Sequence, residues 1–403
     1  MIVSKSMRLT LLDVYMAVIC AFPIATSVFD TELLNKALFG MILALQIAQL
    51  VMNPMKKGSF LGIFILAGNF LFAVFGTQFP MDNANMLFYF PFFLLYTYFM
   101  CDNQKIVMDW FRQRQKFVRA VLMIWTLAVG VSIFLPSAYR AKEGGHLYFG
   151  SFCGSIFRLG PSAMFVQVLS IVSMVLYKKR KDILFQFVPL FCGYMGSSRT
   201  YLAVVVLVFV VAWYVFCTQR RTFWATIIPL AVVVIWLIGK TAIGDKIDAI
   251  MDEDRYGDFW FRVTSSRSKI WDDIFKDWAT QPFLKKLIGV DMNYSLNLTT
   301  LWAHNDFVEI LCSFGIVGLI HYLYAVIHML RAGYGRARVP VVLSICVFMA
   351  WLVNAFFNMH YVYFCAMLCL PFLVFILREY SLEKRGERGS KYLTVQYDKK
   401  IEG

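Results

Sequence analysis

Cys192-Gly193-Tyr194-Met195-Gly196-Ser197-Ser198-Arg199-Thr200-Tyr201-Leu202-Ala203-Val204-Val205 is the stretch whose reading decides the fold. It joins two apolar runs, 183–197 and 200–217. It reads either as one long helix interrupted at Gly196-Ser197-Ser198 or as the turn between two membrane spans. Basic residues decide between the two, because Lys and Arg of short loops accumulate on the cytoplasmic side of a membrane. Lys178-Lys179-Arg180-Lys181 precedes the pair and Arg220-Arg221 follows it. Both clusters fall on one side only if the chain crosses twice between them.

The same alternation holds outward in both directions. Apolar runs near 10–28, 33–52, 60–79, 84–101, 117–136, 161–177, 183–197, 200–217, 223–239, 305–330, 339–356 and 359–377 each approach the length of about 20 residues that a bilayer span needs. Clusters at Lys5/Arg8, Lys56/Lys57, Lys105/Arg112/Arg114/Lys116, Arg331/Arg336/Arg338 and from Arg378 onward occupy every second loop. The expected fold is an all-α polytopic membrane protein with about twelve transmembrane helices and both termini cytoplasmic.

Composition supports this. The 403-residue chain is 60% hydrophobic and 16% charged, with a mean hydropathy of +0.63, against about 45–50% apolar residues in soluble domains. Its net charge of +14 is mostly the topology signal plus attraction to anionic membrane lipid. Nucleic-acid binding would need a basic folded domain, which the sequence lacks. The first apolar run continues into a span without a small-residue cleavage site, so it reads as an anchor. Most of the nine cysteines sit within spans and Cys153 in an outer loop, a pattern unlike a disulfide framework or a Cys-based metal site. Residues 1–403 read as one integral membrane domain, with a short outer loop at 137–160, a large one at 240–303 and a cytoplasmic tail at 378–403.

The outer loops carry the candidate chemistry. Arg140, Lys142, His146 and Arg158 are basic where the alternation expects few charges, which fits anion binding or ordinary surface charge equally well. In the large loop, Ile270, Trp271, Ile274, Phe275 and Trp278 follow a 3.6-residue period after Ser265-Ser266-Arg267-Ser268-Lys269. This predicts an amphipathic helix, capped by Ser265 or Ser266 and ended by Gln281-Pro282, lying along the membrane surface with its tryptophans at headgroup level. Arg267 in its first turn suits phosphate, or is a solvated arginine. Arg199 opens the eighth span, where a charge needs water, headgroups or a bound anion. His304 stands where the large loop re-enters the membrane, and as a neutral imidazole it could take a proton from a hydroxyl. Asp306 and Glu309 could orient its ring or cap the new helix. The carboxylates Asp252-Glu253-Asp254 and Asp272-Asp273 sit among Arg255, Lys269 and Lys276 and read as a solvated mixed-charge loop rather than a metal or acid/base pair.

His304-Asn305, nine residues, then Gly315-Ile316-Val317-Gly318 resembles the signature of the O-antigen ligase and Wzy-type polysaccharide polymerase superfamily. Ser197-Ser198-Arg199-Thr200 and Ser266-Arg267-Ser268-Lys269-Ile270-Trp271 resemble its two arginine elements in the same order. The resemblance implies a GT-C-like glycosyltransferase of the bacterial cytoplasmic membrane with its site on the outer face. Such an enzyme transfers a glycan from undecaprenyl pyrophosphate to an acceptor hydroxyl, with inversion and without a metal or other cofactor. It also implies Arg199 and Arg267 as pyrophosphate ligands, His304 as general base, and a chain-length regulator and a flippase as partners. A polymerase uses another lipid-linked repeat as acceptor and a ligase uses lipid A core; the tight His304-to-Leu311 segment looks more like polymerases. Gly315 and Gly318 read as packing residues. A lipid-linked glycan transporter is the reading from another class, although it should place ionisable groups near the bilayer midplane.

Overall fold

The computed structural model describes residues 5–29, 32–52, 86–141, 147–196, 198–217, 219–238, 261, 263–264, 267–290 and 294–386. Among these the regular structure is helical apart from one short hairpin. In chain order the helices are α1, Lys5–Val28; α2, Glu32–Met52; α3, Met86–Asp102; α4, Gln104–Gln113; and α5, Gln115–Ser132. The hairpin pairs β1, Tyr139–Ala141, antiparallel with β2, Leu147–Phe149. There follow α6, Ile156–Leu176; α7, Phe187–Met195; α8, Arg199–Phe216; and α9, Arg220–Ile238. The remainder comprises α10, Arg267–Thr280; α11, Phe283–Ile288; α12, Tyr294–Thr299; α13, Asp306–Tyr334; α14, Val341–Phe357; and α15, Phe364–Lys384. Seven of them, α1, α2, α5, α6, α8, α13 and α15, are long and apolar enough to cross a membrane. The span expected at 60–79 lies outside the described residues.

Burial sorts these helices. α6 and α15 are apolar on every side and buried nearly throughout, which marks the centre of a bundle. Outer helices turn large apolar side chains outward, among them Leu33, Leu127, Val131, Val232 and Ile320, the surface a hydrocarbon solvent favours. Polar groups in the interior are bonded across helices: Gln167 Nε2 donates to the Val205 carbonyl at 3.0 Å, and the Thr26 and Ser162 hydroxyls meet at 2.7 Å. Close approach uses small residues, because a Cβ on Gly160 would stand 2.4 Å from the Tyr201 ring.

The 183–197 run, expected as one spanning helix, is built differently. A 3₁₀ helix, Arg180–Gln186, passes into the nine-residue α7. The change falls just before Pro189, which sits in the first turn of α7, where no backbone donor is needed. At about 2.0 Å per residue in 3₁₀ and 1.5 Å in α geometry, the two segments cover about 27 Å end to end. Hydropathy registers the apolar length but not the change of hydrogen bonding. Two boundaries also shift. α6 begins at Ile156 rather than near 161, and α15 at Phe364 rather than 359, leaving a turn at 358–363.

The two ends of the bundle differ in charge. At one end Arg114 pairs with Asp13 at 2.7 Å and Arg119 with Asp182 at 3.1 Å, while Arg112 pairs with Asp109 and Glu379, and Lys178 with Glu383. The other end carries the N-termini of α6, α8, α13 and α15. The Gly-x-x-Gly belongs there: Gly315, at φ +69° and ψ −173°, breaks α13. A Cβ at Gly315 would lie 2.4 Å from the Leu287 carbonyl oxygen, and one at Gly289, itself at φ +111°, 2.1 Å from the Ser313 oxygen. Val290 N–H donates to the Cys312 carbonyl at 3.0 Å. Gly315 therefore receives the backbone at the end of α11 rather than a neighbouring span. Gly315→Ala should destabilise the fold by about 1–3 kcal/mol, the cost of a side chain in that backbone region, read as a lower unfolding midpoint in detergent.

Candidate functional site

Three helix beginnings bring the predicted residues together. Arg199 is the first residue of α8 and Arg267 the first of α10, and His304 immediately precedes Asn305, the N-cap of α13. The Asn305 side chain accepts from Phe307 N–H at 2.9 Å and Val308 N–H at 3.2 Å, so the Asn of the His-Asn pair is a cap. No acidic residue occupies the first turn of α8 or α10, which leaves their positive dipole ends available to an anion.

α10 reaches His304 through its apolar face. Ile274 is buried against Tyr294, Ala303, Val308 and Cys312, with Ile270, Trp271 and Trp278 packed around them. Its apolar stripe docks on α12 and the start of α13. Trp271, four residues after Arg267 and so on the same face, donates its Nε1–H to the Ala303 carbonyl at 2.7 Å and meets Phe356 edge to face at 5.3 Å. One hydrogen bond thus holds the Arg267 turn beside the residue preceding His304. Thr264 Oγ1 accepts from Ser268 N–H at 2.9 Å at the start of α10; the expected caps Ser265 and Ser266 lie outside the described residues. Trp271→Phe keeps the ring and removes the bond. It should lower the unfolding midpoint by the worth of one net hydrogen bond, about 0.5–1.5 kcal/mol, and lower turnover as the Arg267 turn loses its tie to Ala303.

Arg267 is the hub. Its Nη1–H donates to the Phe357 carbonyl at the end of α14, which uses one of five guanidinium donors. No carboxylate pairs with it among the described residues. Burial, and the charge of Arg199 nearby, press its pKa below the ordinary arginine value, while Tyr363 and Tyr201 act in the opposite sense. Arg199 donates from Nη2 to the Val263 carbonyl at 3.4 Å, which ties the start of α8 to the segment leading into α10. His304 also feels this cluster: burial first, then the Arg267 charge, lower its pKa from 6.5 to about 4. The ring is half-buried and its Nδ1 has no partner. Its backbone is left-handed at φ +49°, an uncommon conformation outside glycine that His adopts more readily than most residues.

Neither nearby carboxylate orients that ring. Asp306 accepts from the Tyr322 hydroxyl, which in turn accepts from Trp351 Nε1–H at 3.1 Å. Glu309 accepts from Ser295 and, at 3.3 Å, from Ser313, and Ser295 Oγ accepts from Ala303 N–H at 3.3 Å. Both carboxylates brace the frame around 303–306. No group of three or more His, Cys, Asp or Glu side chains able to hold a metal occurs among the described residues.

The chain matches no family model and no curated protein.

Two aromatic residues join the cluster that sequence reading did not single out. Tyr201 and Tyr363 meet edge to face at 6.0 Å, both within electrostatic reach of Arg267, and burial holds the Tyr363 phenol up at about 12. Tyr201 lies two residues after Arg199, the one available hint; Tyr363 sits in the 358–363 turn. Arg140 lies on β1 with its guanidinium against Gly154, Arg158 is in the first turn of α6, and Lys142 and His146 lie outside the described residues, as do Asp252, Glu253 and Asp254.

Proposed function

We propose that this protein is a glycosyltransferase of the bacterial cytoplasmic membrane, taking a glycan from undecaprenyl pyrophosphate and passing it, with inversion and without a metal, to a sugar hydroxyl of another lipid-linked repeat. The single observation behind this reading is Arg267: a half-buried guanidinium with no carboxylate partner among the described residues, within electrostatic reach of both a second arginine and a histidine. A dianion between the arginines would relieve their mutual repulsion and complete their unused hydrogen bonds. The charge pattern supports an orientation with the ion-paired end and both termini cytoplasmic and the arginine end outside.

In this mechanism Arg199 and Arg267 hold the pyrophosphate. His304 accepts the proton of the acceptor hydroxyl, whose oxygen attacks the anomeric carbon from the side opposite the leaving group. The glycosidic C–O bond breaks toward the pyrophosphate oxygen, and the arginines and helix N-termini stabilise the charge that develops there. The pyrophosphate also counters the Arg267 charge that depresses His304, so donor binding raises the basicity of the ring at the moment it is needed.

That coupling fixes a pH signature. The free protein's histidine titrates near 4, so the acid limb of kcat/KM, which reports the free enzyme, lies there; the acid limb of kcat, which reports the complex, lies at higher pH. Since the unfolded value is 6.5, the unfolded chain binds more protons between these values, and the contribution of this group to stability is lost as pH falls from 6.5 toward 4.

Incubating purified protein with lipid-linked repeats in the presence of a chelator tests the function. A ladder of lengthened products supports a polymerase. A single adduct formed after adding lipid A core means a ligase, and movement of unmodified donor across liposomes without bond formation means a transporter. A chain-length regulator and a flippase are the partners this reading expects.

A further inference from the structure

At the end of the bundle opposite Arg199, one α8 length or about 27 Å away, a cavity of about 320 Å³ opens between the C-terminal turns of α6, α8 and α15. Its size falls at the lower end of small-ligand sites, about 300–1,000 Å³. The inner wall is apolar, formed by Met174, Val215 and Phe216, and the mouth is basic, with Lys178, Arg180 and Lys384 around Glu383. Lys178 reaches the mouth because the chain leaves α6 in a left-handed turn, φ +58° at that residue, and it pairs with Glu383. Arg180 and Lys384 pair with no carboxylate among the described residues. Arg180 and Arg220 both lie near enough for their charges to act on Lys384. Three helix C-termini contribute at most about half a negative charge each, which with Glu383 leaves four cations undercompensated. Elsewhere at this end, Arg112, Arg114 and Arg119 each have a carboxylate.

We propose that this cavity seats the phosphate-bearing headgroup of an anionic membrane lipid, with Lys178, Arg180 and Lys384 around the phosphate and an acyl chain along Met174 and Phe216. A basic mouth over an apolar wall at the membrane boundary is complementary to an amphipathic anion and to neither a free ion nor a neutral lipid alone. The site is separate from the arginine–histidine cluster, so it stands whether or not glycosyl transfer does.

The test is binding of phosphatidylglycerol and phosphatidylcholine to the full-length protein, followed by native mass spectrometry, in wild type, the double variant Arg180→Gln/Lys384→Gln, and Lys105→Gln. Lys105 is exposed on α4 and removes a charge without touching the cavity. The expected result is preferential binding of phosphatidylglycerol, weakened about 25-fold in the double variant, about fivefold per removed charge, and retained in Lys105→Gln. Equal binding of the two lipids, an unchanged preference in the double variant, or an equal loss in Lys105→Gln would overturn the proposal. Displacement of the lipid by an equal concentration of inorganic phosphate would do the same, since the apolar wall would then contribute nothing.

Discussion

His304→Asn should lower kcat for glycan transfer by about 10²–10⁴-fold, the usual worth of a positioned general base, while leaving donor affinity nearly intact. Asparagine is the informative replacement because it tolerates the left-handed backbone that His304 occupies at φ +49°. The fold is kept and the proposed base is removed. His304→Ala adds the strain of a side chain that favours other conformations, so a difference in unfolding midpoint between the two variants separates strain from chemistry. A loss confined to KM in His304→Asn would place the residue in binding rather than proton transfer.

Arg267→Gln should cost about 10²–10³ in kcat, comparable to removing one donor from a preorganised anion site, and should also weaken donor binding. Arg267→Lys should recover only part of this, because an ammonium lacks the planar fork that meets two phosphate oxygens at once. The Phe357 carbonyl loses its partner in the glutamine variant, so its unfolding midpoint needs measuring alongside. In Arg267→Gln the histidine also loses a neighbouring cation that lowers its pKa. The acid limb of kcat/KM should therefore move to higher pH in Arg267→Gln and stay in place in Arg267→Lys, which keeps the charge.

Much of this arrangement was legible in the chain because apolar length and period are local properties. The run 200–217 became α8, Arg199–Phe216, and the periodic segment from Ser265 became α10, Arg267–Thr280. Loss of register occurred where local signals are silent. Hydropathy could not distinguish a spanning helix from the 3₁₀-to-α element at 180–195, nor show the hairpin at 139–149 inside a loop read only for its charges. The period of α10 declared an apolar face without saying what covers it, and protein does so here. Tyr363 is 96 positions from Arg267, and only the packing of the α14–α15 turn against α8 brings it near. The Gly315 requirement was visible as a glycine, but its cause is the backbone of Leu287–Gly289, which no helix pattern reveals.

The central claim is that Arg199 and Arg267 share one pyrophosphate, and a double-mutant cycle measures it most directly. Binding of a short-chain polyprenyl pyrophosphate is compared in wild type, Arg199→Gln, Arg267→Gln and the double variant. Each single change should weaken binding by about tenfold or more, the worth of a charge-assisted hydrogen bond. The double variant should lose less than the product of the two, because both side chains act on the same group. Independent, fully multiplicative losses, or wild-type affinity no greater than for the corresponding uncharged polyprenol, would contradict the account.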